Sequence, residues 1–203
     1  AKSQILITLL FGEALNTPKI EFGLIGGMNR SYLVDIEPSK GANHFNLGFY
    51  FHFNFADNSY LSTGVLVKSN TGANDMNTYP IGNNDLDSVF ASGSLSKRIG
   101  YFYVPIMYQY RFYTRWYVDA GFQVGLRNKA TDKFKESTLG GDLEFTIDNR
   151  NDYKHFDAGL VGGLGFKLNK EPKGPAVGIN YYYGLVNISN TGGTLKNSSI
   201  YFY

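Results

Sequence analysis

The chain has no cysteine, which denies it a disulfide framework and any thiolate metal site. It also lacks long apolar runs. Its mean hydropathy is −0.23, and no stretch reaches the roughly 18 apolar residues that a spanning helix needs. A helical membrane protein is therefore excluded. Charge is sparse at 18% of residues and nearly balanced at +2, which gives no reason to expect a nucleic-acid partner. Histidine is rare. His44, His52 and His155 stand far apart, without the His–Glu spacing of a metal site, so no metal, cofactor or catalytic constellation is expected.

Aromatics and glycine are abundant: 16 Tyr, 16 Phe and 24 Gly in 203 residues. This enrichment without long apolar runs points to strands. Residues 45–55 read FNLGFYFHFNF. Phe45, Leu47, Phe49, Phe51, Phe53 and Phe55 share one face, while Asn46, Gly48, Tyr50, His52 and Asn54 share the other. That is the period of two expected of a strand and foreign to a helix. The pattern recurs over 19–32, 60–69, 101–112, 116–127, 153–168, 175–187 and 198–203. Short connections (56–59, 113–115, 169–174) alternate with long ones (33–44, 70–100, 128–152, 188–197). The reading is an eight-stranded antiparallel up-and-down transmembrane β-barrel of the bacterial outer membrane, with short periplasmic turns and long external loops.

Volume decides which face is outside. An eight-stranded interior has room only for a filling of side chains. Rings at Phe45, Phe49, Phe51, Phe53, Phe102, Trp116 and Phe122 cannot all enter it, so they are predicted to face lipid. Glycines and charges fall on the opposite face. Glu21, His52, Arg111, Asp119 and Lys167 are predicted near the periplasmic rim of the lumen, and Lys68, Arg127 and Asp157 nearer the external end. Buried charges must be paired, so these eight are predicted to form a polar network that fills the lumen. Pro105 cannot donate to a ladder, and a bulge is expected there. Phe55, Tyr60, Phe112, Tyr113 and Trp116 are expected to form an aromatic girdle at the short-turn end.

Other motifs carry less. Asn83, Asp85 and Asp87 alternate like calcium ligands but lack the downstream bidentate Glu, and are read as a solvated acidic loop. Gly162-Gly163-Leu164-Gly165 lacks the third glycine and the helix of a dinucleotide loop, and is read as lumen packing. Gln4–Phe11 has the length of a signal-peptide core. It is read as retained: residues 1–18 as a periplasmic interfacial segment, residues 19–203 as the barrel.

Gln4–Asn29 (QILITLLFGEALNTPKIEFGLIGGMN), Tyr101–Phe112 (YFYVPIMYQYRF), Asp157–Leu168 (DAGLVGGLGFKL) and Gly178–Ile188 (GINYYYGLVNI) together resemble the PorT-like outer-membrane β-barrels of Bacteroidetes. The resemblance implies a barrel without enzymatic activity. Its eponymous member serves type IX secretion and gliding. Such proteins end in a full strand with a terminal aromatic, so the eighth strand here, ending at Tyr203, is expected to be cut short. Asp87-Ser88-Val89 resembles the Asp-Ser/Thr-aliphatic acceptor of Bacteroidetes O-glycosylation, which makes Ser88 a candidate modification site. The functional expectation is a non-enzymatic accessory or scaffold subunit of a larger outer-membrane complex for secretion, surface assembly or uptake. Its partners would be lipid and other outer-membrane or periplasmic proteins. The alternatives are a surface-binding or structural barrel acting through its loops and, behind it, a lipid-modifying enzyme.

Overall fold

The computed structural model describes residues 16–34, 36, 39–113, 115–138, 141–169 and 174–203. Residues 1–15 of the expected interfacial segment lie outside the described residues. Asn16–Lys19 fold back on the first strand: Asn16 Oδ1 accepts from the Phe22 amide at 2.9 Å, and Thr17 and Ile20 exchange backbone hydrogen bonds.

The described strands are β1 (Ile20–Val34), β2 (Lys40–Ala56), β3 (Ser59–Met76), β4 (Ser94–Phe112), β5 (Trp116–Thr138), β6 (Gly141–Asp148), β7 (Phe156–Lys167), β8 (Ala176–Gly184) and β9 (Lys196–Phe202). Eight of them close a ring. β1 through β5 pair in succession, β5 pairs β7, β7 pairs β8, β8 pairs β9, and β9 returns to β1, all antiparallel. Closure pairs each strand of the ring on both sides, as hydrocarbon demands, although β9 meets β1 only over Met28–Val34 and leaves that edge of Ile20–Gly27 without a strand partner among the described residues. β6 stands outside the ring. β5 pairs β7 through Trp116–Leu126, then continues past the rim and pairs β6 through Thr131–Thr138.

The first three external connections are shorter than the sequence pattern predicts, because β1 to β5 extend into them. β1 ends at Val34 and β2 begins at Lys40, and β3 ends at Met76 and β4 begins at Ser94. β6 occupies Gly141–Asp148 before β7 begins at Phe156, while the fourth connection, between Gly184 and Lys196, keeps about its predicted length. The reason is a change of polarity along each strand. Within the membrane, bulk faces out and small or polar residues face in. Above it, Leu95, Ile99, Ala130 and Phe134 face inward and buried, while Arg98, Lys129 and Lys135 face solvent. The strand persists, but its apolar side changes. Inside the 77–93 connection, α1 (Asn84–Phe90) starts at Asn83, whose side chain accepts from the amides of Asp85 and Leu86.

No bulge occurs at Pro105, where the β4–β5 register runs unbroken from Tyr101 to Phe112. The Thr63 hydroxyl donates to the Pro105 carbonyl at 2.8 Å. The irregularities nearest to it on β4 lie higher, at Leu66/Ser69 between β3 and β4 and at Gly100/Tyr101 between β4 and β5. Each shifts which alternate residues point inward. Lower down, β2 and β3 approach closely at Gly48 and Gly64. A Cβ on Gly48 would stand 2.1 Å from the Val65 carbonyl oxygen, so only glycine fits.

Candidate functional site

At the periplasmic end of the lumen, four strands aim charges at one point. Glu21 from β1 receives Arg111 from β4 at 2.8 Å, and the His52 Nδ1 of β2 lies 3.5 Å from the same oxygen. Lys167, at the end of β7, reaches it at 3.6 Å. Arg111 Nε donates to Gln109 at 2.9 Å, and Gln109 Nε2 donates to Asp119 at 3.0 Å. Two carboxylates thus face two cations, with an amide relaying between them. The Arg111 guanidinium also lies 3.7 Å above the Tyr60 ring. A cavity of about 240 Å³ adjoins this cluster, lined by Glu21, His52, Gln109, Asp119 and Lys167 among others.

Above it, tyrosines fill the barrel. Tyr101 and Tyr103 stack at 5.0 Å, Tyr103 meets Tyr182 at 5.7 Å, and all are fully buried beside Tyr201. Tyrosine suits this lumen because its ring fills space while its hydroxyl finds polar partners. Tyr103 donates to the fully buried Asp157 at 2.8 Å, Asn197 donates to the same oxygen at 2.7 Å, and Gln123 donates to Tyr201 at 3.1 Å. The Tyr101/Tyr103 pair was legible as the alternate positions to Phe102 and Val104. The partnership with Asp157 was not, because it joins β4, β7 and β9.

The structure therefore brings Glu21, His52, Arg111, Asp119 and Lys167 together, and sets Asp157 apart in the tyrosine cage. Two of the eight expected network members lie elsewhere. Lys68 is exposed, and its ammonium sits 5.5 Å over the Phe45 ring on the outer surface. The irregularity after Leu66 turns Ser69 inward instead. Arg127 stands at the external rim, where it donates to the Lys154 carbonyl and meets His155 Nδ1 at 3.3 Å rather than reaching Asp157. Tyr60, expected in the girdle, is instead the ring beneath Arg111.

Of the rings predicted to face out, Phe45, Phe53, Phe102, Trp116 and Phe122 are exposed on the outer surface, Phe122 at 62%. Phe49 and Phe51 are half-buried because they pack on Phe22, with ring centres 6.3 and 4.9 Å away. Leu24, Met28, Ile106, Leu126, Leu160 and Ile179 extend the apolar surface around the barrel.

Beyond the rim the strands build a cap with its own core. Phe134 is buried against Tyr79 and Phe90, Phe90 stacks on Phe145, and Met76, Leu95, Ile99, Ile188 and Leu195 complete the packing. Within it, Lys97 pairs with the fully buried Asp132 at 2.5 Å, and Tyr79 donates to the same oxygen at 3.0 Å. Burial, and then the Asp132 charge, push the Tyr79 phenol up to about 12. The residues of the acidic loop serve local structure: Asn83 caps α1, and Asp87 accepts from the amides of Ile81 and Gly82. Among the described residues no group of side chains could hold a metal ion. Ser88 lies exposed on α1, its hydroxyl donating to the Asp85 carbonyl at 2.8 Å.

Among solved structures, similarity extends to Ail, the attachment invasion locus protein of Yersinia pestis, crystallised with the heparin analogue sucrose octasulfate. Identity is 11%, the TM-score is 0.48, and the match covers 92% of this chain and 96% of that one. The outer membrane protein OprG of Pseudomonas aeruginosa is similar over 90% of this chain and 88% of its own, at 14% identity and a TM-score of 0.37. No curated protein matches in sequence. Residues 14–190 match the outer membrane protein β-barrel domain family. With the ring of strands closed, an apolar belt outside and a filled lumen inside, the chain belongs to that family of outer-membrane β-barrels.

Proposed function

We propose that this protein is a non-enzymatic outer-membrane barrel that works as a surface platform, presenting the cap built by β3 to β6 and α1. One observation carries this reading: the external segments hold a buried core of their own, around Phe90 and Phe134, instead of trailing as loops. Surface binding, the sequence's alternative reading, thereby gains a rigid structure to act through. The lumen argues against transport, since Tyr101, Tyr103, Tyr182 and Tyr201 pack across it above the Glu21 cluster and its cavity. In this reading the eight polar residues serve stability or rim structure, and the outward rings from Phe45 to Phe122 sit in lipid.

The test replaces residues 77–93 and 139–149 with short turns. The barrel is expected to keep its heat-dependent gel shift while the cells lose their surface phenotype or capture of external ligand. An unchanged surface phenotype overturns the platform.

An accessory role in a larger complex, extending to the PorT-like secretion machinery of Bacteroidetes, draws support from the sequence resemblance and from Phe55, Tyr113 and Trp116, which stand exposed at the periplasmic rim. Purification in mild detergent that yields only monomer counts against it. A lipid-modifying reaction finds little support, since His52 is committed to Arg111 and Glu21, His155 to Arg127, and His44 is buried away from the surface. Sugar on Ser88 fits its exposure, and intact-mass analysis of the native protein showing none removes that proposal.

A further inference from the structure

Cations gather on one outward flank of the cap. Arg30 of β1, Lys40 of β2, Arg98 of β4 and Lys133 and Lys135 of β5 line a shallow depression of about 420 Å³. A neighbouring one of about 390 Å³ shares Arg98 and Lys133 and adds Lys129. The two carboxylates among the linings are both committed. Asp75 pairs Lys40 at 3.0 Å, and Glu144 pairs Lys133 at 2.5 Å and Lys135 at 2.8 Å. Arg30, Arg98 and Lys129 form no salt bridge among the described residues, and Arg30 instead donates to the Tyr32 hydroxyl at 2.8 Å. Ser94, Ser96 and Thr131 add hydroxyl donors between the cations. The flank therefore holds a surplus of positive charge around hydrogen-bonding concavities.

Its height decides what it meets. Arg30 is two residues past Met28, Arg98 four from Phe102 and Lys129 three from Leu126, and those three apolar residues stand exposed on the outer face. At about 3.3 Å per residue, the cations begin roughly 7–13 Å beyond the apolar wall. Lys68 lies over Phe45 at the same boundary. A single flank thus offers hydrocarbon contact below and phosphate-binding charge directly above. A soluble polyanion has no use for the apolar wall, whereas an amphiphile uses both.

We propose that this flank is a docking site for the phosphorylated headgroup of an outer-leaflet glycolipid. Its acyl chains lie along Met28, Phe45, Phe102 and Leu126, and its phosphates engage Arg30, Arg98, Lys129 and Lys133. The site holds whether or not the cap captures an external partner, because it faces the protein's own membrane.

The experiment measures binding of diphosphorylated lipid A to the purified full chain in detergent, against the same lipid stripped of phosphate, with heparin as a soluble competitor. Compared are the wild type, the triple variant Arg30→Gln/Arg98→Gln/Lys129→Gln, and Lys154→Gln as a cation removed from another part of the external end. All substitutions are on exposed side chains, and retention of the heat-dependent gel shift verifies folding. The triple variant is expected to bind about tenfold or more weakly and with less salt dependence. The dephosphorylated lipid is expected to bind wild type equally weakly, and Lys154→Gln and heparin are expected to change little. Equal binding of the two lipids, or undiminished binding by the triple variant, overturns the proposal. Full displacement by heparin does so too, in favour of a soluble polyanion.

Discussion

Glu21 and Asp157 are carboxylates buried in the same lumen and held by opposite means. Glu21 answers cations, with Arg111, Lys167 and His52 converging on one oxygen. Asp157 accepts from the neutral donors Tyr103 and Asn197. Removing charge should separate them. Glu21→Gln leaves buried cations without their counter-charge and is expected to cost about 3–5 kcal/mol. Asp157→Asn keeps an acceptor oxygen and is expected to stay within about 1 kcal/mol of wild type. Urea titration in lipid vesicles, followed through the lone Trp116, measures both. Two glycines give a second contrast. Gly48→Ala drives a Cβ against the Val65 carbonyl and is expected to cost about 1–3 kcal/mol or block refolding. Outside the barrel, a Cβ on Gly26 comes no nearer than 4.0 Å to Leu47, and Gly26→Ala is expected to change stability by less than about 0.5 kcal/mol in the same titration.

The elements of the cap stand or fall on their own packing. Asp132→Ala leaves the half-buried Lys97 ammonium without its counter-charge and removes the acceptor of the Tyr79 hydroxyl, an expected loss of about 3 kcal/mol. The loss is confined to the cap, so external proteolysis should quicken while the barrel's heat-dependent gel shift persists. The β5–β6 hairpin depends on pH through Glu144, whose carboxyl Lys133 and Lys135 hold below its ordinary value. A depressed carboxylate stabilises above its unfolded value and loses that contribution as pH falls through the folded one. Amide exchange along β6, corrected for intrinsic rates, is therefore expected to be faster near pH 3 than near pH 6. The membrane-spanning parts of these strands were readable because Phe102, Phe122 and Leu126 alternate with small or polar residues. Their outer halves were not, because the apolar side moves inward at Ile99 and Ala130 and polar residues occupy the lipid side's positions. The same limit misplaced Lys68, since one irregular rung reverses every residue after it and period two carries no sign of that slip.

For the whole molecule, bulk against space set the architecture, and the ring closed by β9 on β1 agrees with it. Which residues meet across the lumen needed the strand stagger, so Glu21 could be placed near the right rim but not matched to Arg111, ninety positions away. Orientation has a direct test: Phe51→Arg puts a charge on the outer surface near mid-membrane and is expected to cost about 2–4 kcal/mol, more than Asn54→Arg inside the rim. Refolding free energies in vesicles decide the ranking. The β4–β5 ladder, meanwhile, runs from the Phe112/Trp116 turn to Ser94/Lys135 with one irregularity. At about 3.3 Å per residue, the 23 residues of β5 measure roughly 76 Å, far beyond the ~25 Å apolar band they cross. A tug on the cell surface along that axis loads many rungs in shear at once instead of peeling them singly. The two strands are a stiff tether, able to carry mechanical load from the exterior to the periplasmic turn.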